Sequence, residues 1–286
     1  MAKELMTSEQ LVAKVVSIAD GYKTLYVMGA FGACLHDKNK KRYTSNNDYN
    51  RQPERTAKII AASDDTFAFD CVGLIKGILW GWSGKTGVLW NYGGAAYKSN
   101  GVPDYGANQM IQACEDVSED FRDIQAGEAV WLDGHIGVYI GGGIAVECTP
   151  SWKDGVQRTA VANIGRVTGF PMRRWKKHGK LPWIDYGKKP EDNTKPEKDD
   201  DEMSKDLLRA MIADGYKLPV LRYNGTNYTN QNSVKEWQKI LDFEGSAVDG
   251  KFGKNTKAKT EEFQRKHNLS ADGIVGNATW SAGLNL

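Results

Sequence analysis

The sequence predicts an α+β domain with an antiparallel sheet, followed by a small domain of three helices. Two features of the first part support this: an apolar stretch of helical character at 69–81, and two alternating stretches joined by glycines at 135–149. The third feature is an internal repeat near the C-terminus, at 249–256 and 272–279. Helix and hairpin signals that occur side by side in this way are typical of the α+β class.

The composition limits the classes of protein to consider. The chain has 286 residues, 40% hydrophobic and 26% charged, and a formal net charge of +2. This composition is typical of a soluble globular protein with more than one domain. The small net charge argues against nucleic acid as a partner. No apolar run reaches the about 18 residues of a membrane span, so no membrane insertion is expected.

A charged segment separates the two parts of the chain. The stretch KKPEDNTKPEKDDDE, at 188–202, has no large apolar residue and is expected to be a solvated linker. The predicted boundaries are a first domain at 1–187 and a second domain at 203–286, with its core at about 231–284.

The N-terminal stretch predicts an amphipathic helix. Leu11, Val12, Val15 and Ile18 recur at helical spacing, and no continuous apolar segment of the kind found in a signal peptide is present. The expectation is therefore a protein that is synthesised in the cytoplasm without a signal peptide.

The cysteines give no sign of a metal site. None belongs to a Cys-x-x-Cys pair, the common zinc motif, and a reducing cytosol disfavours disulfides. No metal and no other cofactor is predicted. The cysteines are Cys34, Cys71, Cys114 and Cys148.

The candidate nucleophile is Cys71, in the stretch FDCVGLIKGILWG. It precedes apolar residues whose spacing predicts a buried helix, so it stands at the start of that helix. A helix N-terminus and a nearby imidazolium both favour the thiolate, which is the reactive form of cysteine. The preceding residue, Asp70, is expected to cap the helix or to form a turn.

The candidate base is His135, in the stretch DGHIGVYIGGGIAVECT. Apolar residues alternate before and after the three glycines, which predicts a β-hairpin. The apolar side chains must share one face, together with Cys148, so His135 and Glu147 share the other. In one register Glu147 is diagonal to His135, at about 7–8 Å between Cβ atoms, and in the other it is directly opposite, at about 5 Å.

Either register lets Glu147 bond an imidazole nitrogen and orient the ring. Cys71, His135 and Glu147 would then be a nucleophile, a base and an orienting group, which together perform acyl transfer. The spacing also fits a simpler interpretation, in which His135 is a structural strand residue and Glu147 a polar edge residue. A pair formed by Cys34 and His36 is a weaker alternative, because nothing places Cys34 at a helix start.

The C-terminal repeat has the pattern Asp-Gly-x-x-Gly-x-x-Thr. Asp-Gly favours a tight turn, and the second glycine and the threonine favour the start of a helix. Between the copies, Ala258 and Phe263 are the expected inward residues of one helix. Before them, Ser233 fits the capping box of another helix, in which Val234, Trp237 and Leu241 share one face.

Two resemblances follow from these motifs. The segments SVKEWQKIL, VDGKFGKNT and FQRKHNLSADGIVGNATW resemble the small peptidoglycan-binding domain found beside cell-wall hydrolases, which implies bacterial peptidoglycan as a partner. The match covers about 231–284, and the stretch at 203–230 either belongs to that domain or only connects to it.

The segments FDCVGL, AGEAVWLDGHIGVYIGGG and AVECTP resemble the NlpC-type cysteine peptidases. That resemblance implies a papain-like α+β fold, with Cys71 as the nucleophile, His135 as the base and Glu147 at the third polar position. LYVMGA resembles the Tyr-containing segment of that family, so Tyr26, together with Asp70, is a candidate for contact with the substrate carbonyl or its oxyanion.

Together the resemblances imply a peptidoglycan hydrolase that cleaves an amide bond in the wall stem peptide and resembles a phage endolysin or a prophage relic. It would act as a monomer on the bacterial cell wall after its release from the cytoplasm. The alternatives are a wall-binding protein whose first domain has lost activity, an N-acetylmuramoyl-alanine amidase specificity, and a metal-dependent wall enzyme.

Overall fold

The computed structural model describes residues 5–187, 208, 209, 212, 218, 220–223 and 231–286. The chain divides into two compact units, at 1–189 and 190–286. The predicted linker at 188–202 and most of the stretch at 203–230 lie outside the described residues.

The described part of the first unit contains several helices. In chain order they are α1 (Ser8–Gly21), α2 (Asp37–Asn46), α3 (Asp48–Arg51), α4 (Pro53–Ala61), α5 (Cys71–Leu79), α6 (Ala107–Ala113) and the short 3-10 helix Phe121–Asp123. The predicted N-terminal helix is α1, whose residues Leu11, Val12, Val15 and Ile18 are all buried.

The strands of the first unit are short. They are β1 (Met6–Thr7), β2 (Thr24–Tyr26), β3 (Phe31–Cys34), β4 (Phe67–Phe69), β5 (Glu115–Ser118), β6 (Ala129–Leu132), β7 (His135–Tyr139), β8 (Ile144–Thr149), β9 (Gly155–Val161), β10 (Met172–Arg173), β11 (Lys177–Lys180) and β12 (Ile184–Asp185).

Most of these strands form one sheet in the order β10-β9-β8-β7-β6-β11-β5. Its neighbouring strands are antiparallel, except for β10, which runs parallel to β9. A three-stranded sheet has β4 between β2 and β3, and β1 pairs with β12. The predicted α+β class with an antiparallel sheet is confirmed.

Helix α5 is the central element of the first unit. All of its residues are buried, and it packs against β3, β7 and β8. Two of its glycines allow a close approach to β3, because a Cβ at Gly73 would overlap the carbonyl oxygen of Ala30 and one at Gly77 would lie 2.5 Å from that of Phe31. This close packing fixes where the helix begins relative to the sheets.

The second unit contains the helices Gln231–Ile240, Lys254–Lys266 and Asn277–Leu284. Val234, Trp237 and Leu241 are buried in it, as their helical spacing predicts. The expectation of a small helical domain is confirmed for the residues that the structure describes.

The repeated turns of the second unit are each held by a buried glutamine. In the first copy, Gln238 donates from Nε2 to Asp249 Oδ1 at 2.8 Å and accepts at Oε1 from the Gly250 N–H at 2.9 Å. Gln264 makes the corresponding contacts with the second copy, at 2.9 Å each. The repeat is therefore a turn and a glutamine that satisfy each other's polar groups.

Two expectations for the second unit are wrong. Ala258 is exposed, and the inward face of its helix is formed by Thr256, Thr260 and Gln264 instead, because each of them has a buried side-chain partner there. Gln238 donates to Thr256, Trp237 donates to Thr260, and Gln264 donates to Thr279. Ser233 lies inside the helix that begins at Gln231, so it does not cap that helix.

His178 is a core residue of the first unit. It lies in β11, where Nδ1 bonds Glu128 Oε2 and Nε2 donates to the carbonyl oxygen of Asp120 at 2.8 Å. Burial alone would lower the pKa of His178, but the hydrogen bonds to Glu128 and Asp120 outweigh it and raise the pKa above its usual value. The charged imidazole is therefore the form that the fold stabilises.

Gly77→Ala is expected to lower the free energy of unfolding of the first unit by about 1–3 kcal/mol, because the new Cβ overlaps the main chain of β3. Thermal or chemical unfolding measures the change. The matched control is Gly106→Ala, whose Cβ would meet only Gln109 Oε1 at 3.8 Å; a loss as large as that of Gly77→Ala would contradict the packing argument.

His178→Gln is expected to cost the most stability at acid pH. A raised folded-state pKa contributes stability that is complete below the unfolded value of 6.5 and is lost as pH rises through the folded value. The difference in unfolding free energy between wild type and variant, on the order of 2 kcal/mol at pH 5.5, should therefore shrink as pH rises towards 9. Parallel pH profiles for the two proteins would refute this assignment.

Candidate active site

Asp70 fixes the position of the candidate nucleophile. It caps α5 through Oδ1, which accepts from the Gly73 N–H at 2.6 Å, and its Oδ2 accepts from the Gly29 N–H at 2.7 Å. The carboxylate thus joins the start of the helix to the loop after β2. The structure shows this capping role, and the substrate or oxyanion role of Asp70 stays a prediction.

Cys71 is the first residue of α5, as predicted, and its sulfur lies against β7. The sulfur is 3.9 Å from the carbonyl oxygen of Gly134, and the main-chain N–H of Ile136 is a hydrogen-bond donor to it. These two residues flank His135 in the chain. The structure therefore brings the start of α5 to the start of the strand that carries the candidate base.

The thiol of Cys71 is less acidic than its place at a helix start suggests. Burial, and after it the charge of Asp70, raise the pKa of Cys71 to about 12, although the N–H groups of Ile136, Val72 and Cys71 itself act in the opposite direction. The expectation of a ready thiolate is therefore wrong for this state of the site. These surroundings favour a neutral thiol over a thiolate, and a neutral thiol needs a base to accept its proton.

His135 and Glu147 meet across the hairpin. Gly137 is opposite Glu147 and Tyr139 is opposite Ala145, so the diagonal register is the one observed. The Nε2 atom of His135 lies 2.6 Å from Glu147 Oε2. Since a carboxylate only accepts, Nε2 carries a proton, and Nδ1 is the nitrogen left for proton exchange with a thiol.

Glu147 is fully buried and has three donors. Besides the bond from His135, its Oε1 accepts from Thr159 Oγ1 at 2.7 Å and from Arg173 Nε at 2.8 Å. Burial alone would raise the pKa of Glu147, but the bonds and charges of His135 and Arg173 together lower it. The carboxylate therefore stays ionised and keeps accepting from the imidazole.

Sequence reasoning missed Arg173 and Trp175. The ring of Trp175 stacks on that of His135, with centroids 5.6 Å apart and planes at 6°. Both residues lie in or after β10, a two-residue strand that carries no alternating pattern, so periodicity could not have found them. The only available signal was the cluster of arginines and tryptophan in RRW at 173–175.

Tyr26 lies close to the nucleophile. It is buried at the end of β2, with its hydroxyl 3.9 Å from Met28 Sδ. Burial is the main cause that raises the pKa of Tyr26, followed by the nearby Cys71 and Asp70. The phenol therefore stays protonated and can donate a hydrogen bond, which is the property that an oxyanion contact needs.

The rival pair has separate partners. Cys34 contacts the carbonyl oxygen of Gly87 at 3.9 Å, and His36 Nε2 lies 3.2 Å from Asn39 Nδ2. Cys148 is buried and its thiol donates to the carbonyl oxygen of Phe69 at 3.2 Å, so it lies on the apolar face of the hairpin as predicted.

Within the described part of the chain, no cluster of three or more His, Cys, Asp or Glu residues could hold a metal ion. The described helices include none long and apolar enough to cross a membrane.

Comparison with known families finds a match in the C-terminal part of the chain. Residues 230–282 match the family model described as "Putative peptidoglycan binding domain", which agrees with the resemblance of the repeated turns. No curated protein matches the chain. The solved structure of NlpC1 from Trichomonas vaginalis is similar over 63% of this chain and 46% of that chain, with 14% identity and a TM-score of 0.30. The chain spans less than half the length of that structure.

Alkylation of Cys71 by iodoacetamide should accelerate steadily as pH rises from about 5 to 9, because the sulfur is a thiol whose pKa is raised to about 12. Peptide mapping by mass spectrometry separates Cys71 from the other cysteines. A fast rate that is level between about pH 5 and 7, and that His135→Gln abolishes, would instead show a preformed thiolate–imidazolium pair.

Proposed function

We propose that the protein is a peptidoglycan hydrolase that cleaves an amide bond in the wall stem peptide by Cys–His thiol catalysis. The observation that carries the proposal is the bond between His135 Nε2 and Glu147. His135 is the first residue of β7, and the sulfur of Cys71 contacts the main chain of the residues on either side of it, Gly134 and Ile136. The peptidoglycan-binding domain matched at 230–282 supports the substrate class.

The first half of the reaction forms a thioester. The sulfur of Cys71 attacks the carbonyl carbon of the amide while His135 Nδ1 takes the thiol proton. Since the thiol is neutral before attack, transfer of the proton and formation of the C–S bond occur together. The C–N bond then breaks, and His135 returns the proton to the leaving amine.

The second half releases the acyl group. Water gives a proton to His135 Nδ1 as its oxygen attacks the thioester carbonyl, the C–S bond breaks, and the sulfur recovers the proton. Glu147 holds the imidazole by Nε2 throughout, so the ring keeps one orientation in both halves.

The negative oxygen of each tetrahedral intermediate needs hydrogen-bond donors. The protonated hydroxyl of Tyr26 is the side chain that we assign to this role, since it lies beside Cys71 and cannot ionise at neutral pH. Removing one donor of this kind typically costs about 10²–10³-fold in kcat.

The second domain supports the reaction by holding the enzyme on its polymer. Binding to the wall raises the effective concentration of stem peptides around the catalytic unit without changing the site itself. The proposal includes an endolysin-like life cycle, in which the enzyme is made in the cytoplasm and meets the wall after release.

Cys71→Ala should abolish digestion of purified cell walls, because the Cys71 thiol is the nucleophile of the proposed mechanism. Mass spectrometry of the soluble products from wild type identifies the bond that is cut. Cys34→Ala is the matched control, since Cys34 is also a buried cysteine of the first unit, and it should keep full activity.

Two outcomes would refute the proposal. One is digestion by Cys71→Ala at the wild-type rate, and the other is a wild type that binds walls but releases no peptide or glycan fragment. Products cut between sugar and peptide would keep the thiol mechanism and change the bond to that of an amidase.

A further inference from the structure

Arg173 is hydrogen-bonded to Glu147, the carboxylate that also bonds the candidate base His135. The Arg173 Nε–H donates to Glu147 Oε1 at 2.8 Å, and Nη2 donates to Thr149 Oγ1 at 3.4 Å. The side chain of Arg173 is 18% exposed and that of Glu147 is 0% exposed. The ion pair is therefore formed largely out of water.

Arg173 is also held between two aromatic rings. Its Cζ atom is 4.9 Å from the ring centroid of Trp152 and 5.6 Å from that of Trp175. Trp175 in turn stacks on His135, and Asn163 fixes its main chain by accepting from its N–H and donating to its carbonyl oxygen, each at 2.9 Å. The guanidinium thus contacts both neighbours of the imidazole, the carboxylate at its edge and the indole on its face.

We propose that Arg173 is a positioning residue that acts on His135 through Glu147. It holds Glu147 ionised and oriented, so that the imidazole presents Nδ1 to the sulfur of Cys71. The proposal rests on the function proposed above. Arg173 itself contacts neither substrate nor the reacting atoms in this assignment.

The physical reason is the cost of burying a charge. A carboxylate without a counter-charge in a dry site takes up a proton. In its protonated form Glu147 would become a donor on one oxygen and would hold the Nε2–H of His135 less well. Thr159 on β9 adds a neutral donor, so the titratable or charged groups that bond Glu147 in the described structure are the imidazole of His135 from β7 and the guanidinium of Arg173 from β10.

Arginine suits this position better than lysine. Its planar group can donate from Nε to Glu147 while it lies between Trp152 and Trp175, whereas an ammonium group is a point charge without a face to stack. A lysine in its place would supply the charge and lose the fixed geometry.

The test compares four variants on purified walls: Arg173→Met, Arg173→Lys, Glu147→Gln and the double variant Arg173→Met/Glu147→Gln. Arg173→Met should lower kcat on the order of 10- to 100-fold, by analogy with the loss of groups that orient metal-bound histidines, with KM little changed. Arg173→Lys should restore part of the loss.

The pH dependence of the activity tests whether Arg173 acts through the charge of Glu147. In Arg173→Met the loss of activity should grow as pH falls from about 8 to 5, because Glu147 then takes up its proton at higher pH than in wild type. Glu147→Gln should remove that added dependence. In the Glu147→Gln background, Arg173→Met should cost less than about threefold, since the group through which it acts is gone.

Arg158→Met is the matched control. Arg158 also lies on this sheet and forms a two-bond ion pair with Asp20, at 2.5 and 2.7 Å, with 8% of its side chain exposed. Its loss should lower thermal stability and leave kcat and the pH profile unchanged. An effect of Arg173→Met that is confined to stability, as in this control, would overturn the proposal.

Failure of the two proposals can be told apart. An inactive Cys71→Ala with a fully active Arg173→Met overturns only the positioning role. If wild type digests no wall at all, the catalytic proposal fails, and NMR still tests the positioning role. The downfield Nε2–H signal of His135 should then be present in wild type and Arg158→Met, and lost or broadened by exchange in Arg173→Met at about pH 6. A signal that Arg173→Met leaves intact would overturn the role of Arg173.

Discussion

The burial of one carboxylate organises the candidate site. Glu147 has no exposed surface, so each of its oxygens must be satisfied by the protein. The donors come from three different strands, His135 on β7, Thr159 on β9 and Arg173 on β10. The donors that keep this charge ionised are therefore brought together by the order and register of the strands.

Glu147 is kept ionised, whereas the close packing of α5 favours the neutral form of the candidate nucleophile, Cys71. Glycines at two positions let the helix lie directly on β3, which buries the whole helix, including Cys71. Desolvation then raises the pKa of the thiol more than the surrounding N–H groups lower it. The same packing that places the sulfur beside β7 thus favours the neutral thiol, and in the proposed mechanism this thiol needs the hydrogen-bonded imidazole as its base.

The second unit uses buried polar groups for a structural purpose. Gln238 and Gln264 close their turns by bonding the aspartate and the glycine of each repeat. Because every partner is satisfied, the polar face of the helix Lys254–Lys266 can be turned inward. A domain this small gains specificity from such bonds, since its apolar core is limited.

The sequence alone determined the local features with strong periodicity. The helix after Asp70, the alternation on both sides of the glycines and the repeated Asp-Gly turns each follow from spacing within one segment, as do the candidate residues Cys71, His135 and Glu147. The sequence also placed His135 and Glu147 on one face, because strand parity requires it.

Only the tertiary structure decided the register, the burial of the thiol and the contacts of Arg173. The two registers differ by long-range pairing, and the acidity of Cys71 depends on how much water the fold removes from it. Arg173 lies 26 positions beyond Glu147 in sequence and meets it through the pairing of β10 with β9. Contacts of this kind produce no periodic pattern in the sequence, since they depend on how strands that are distant in sequence pair in the fold.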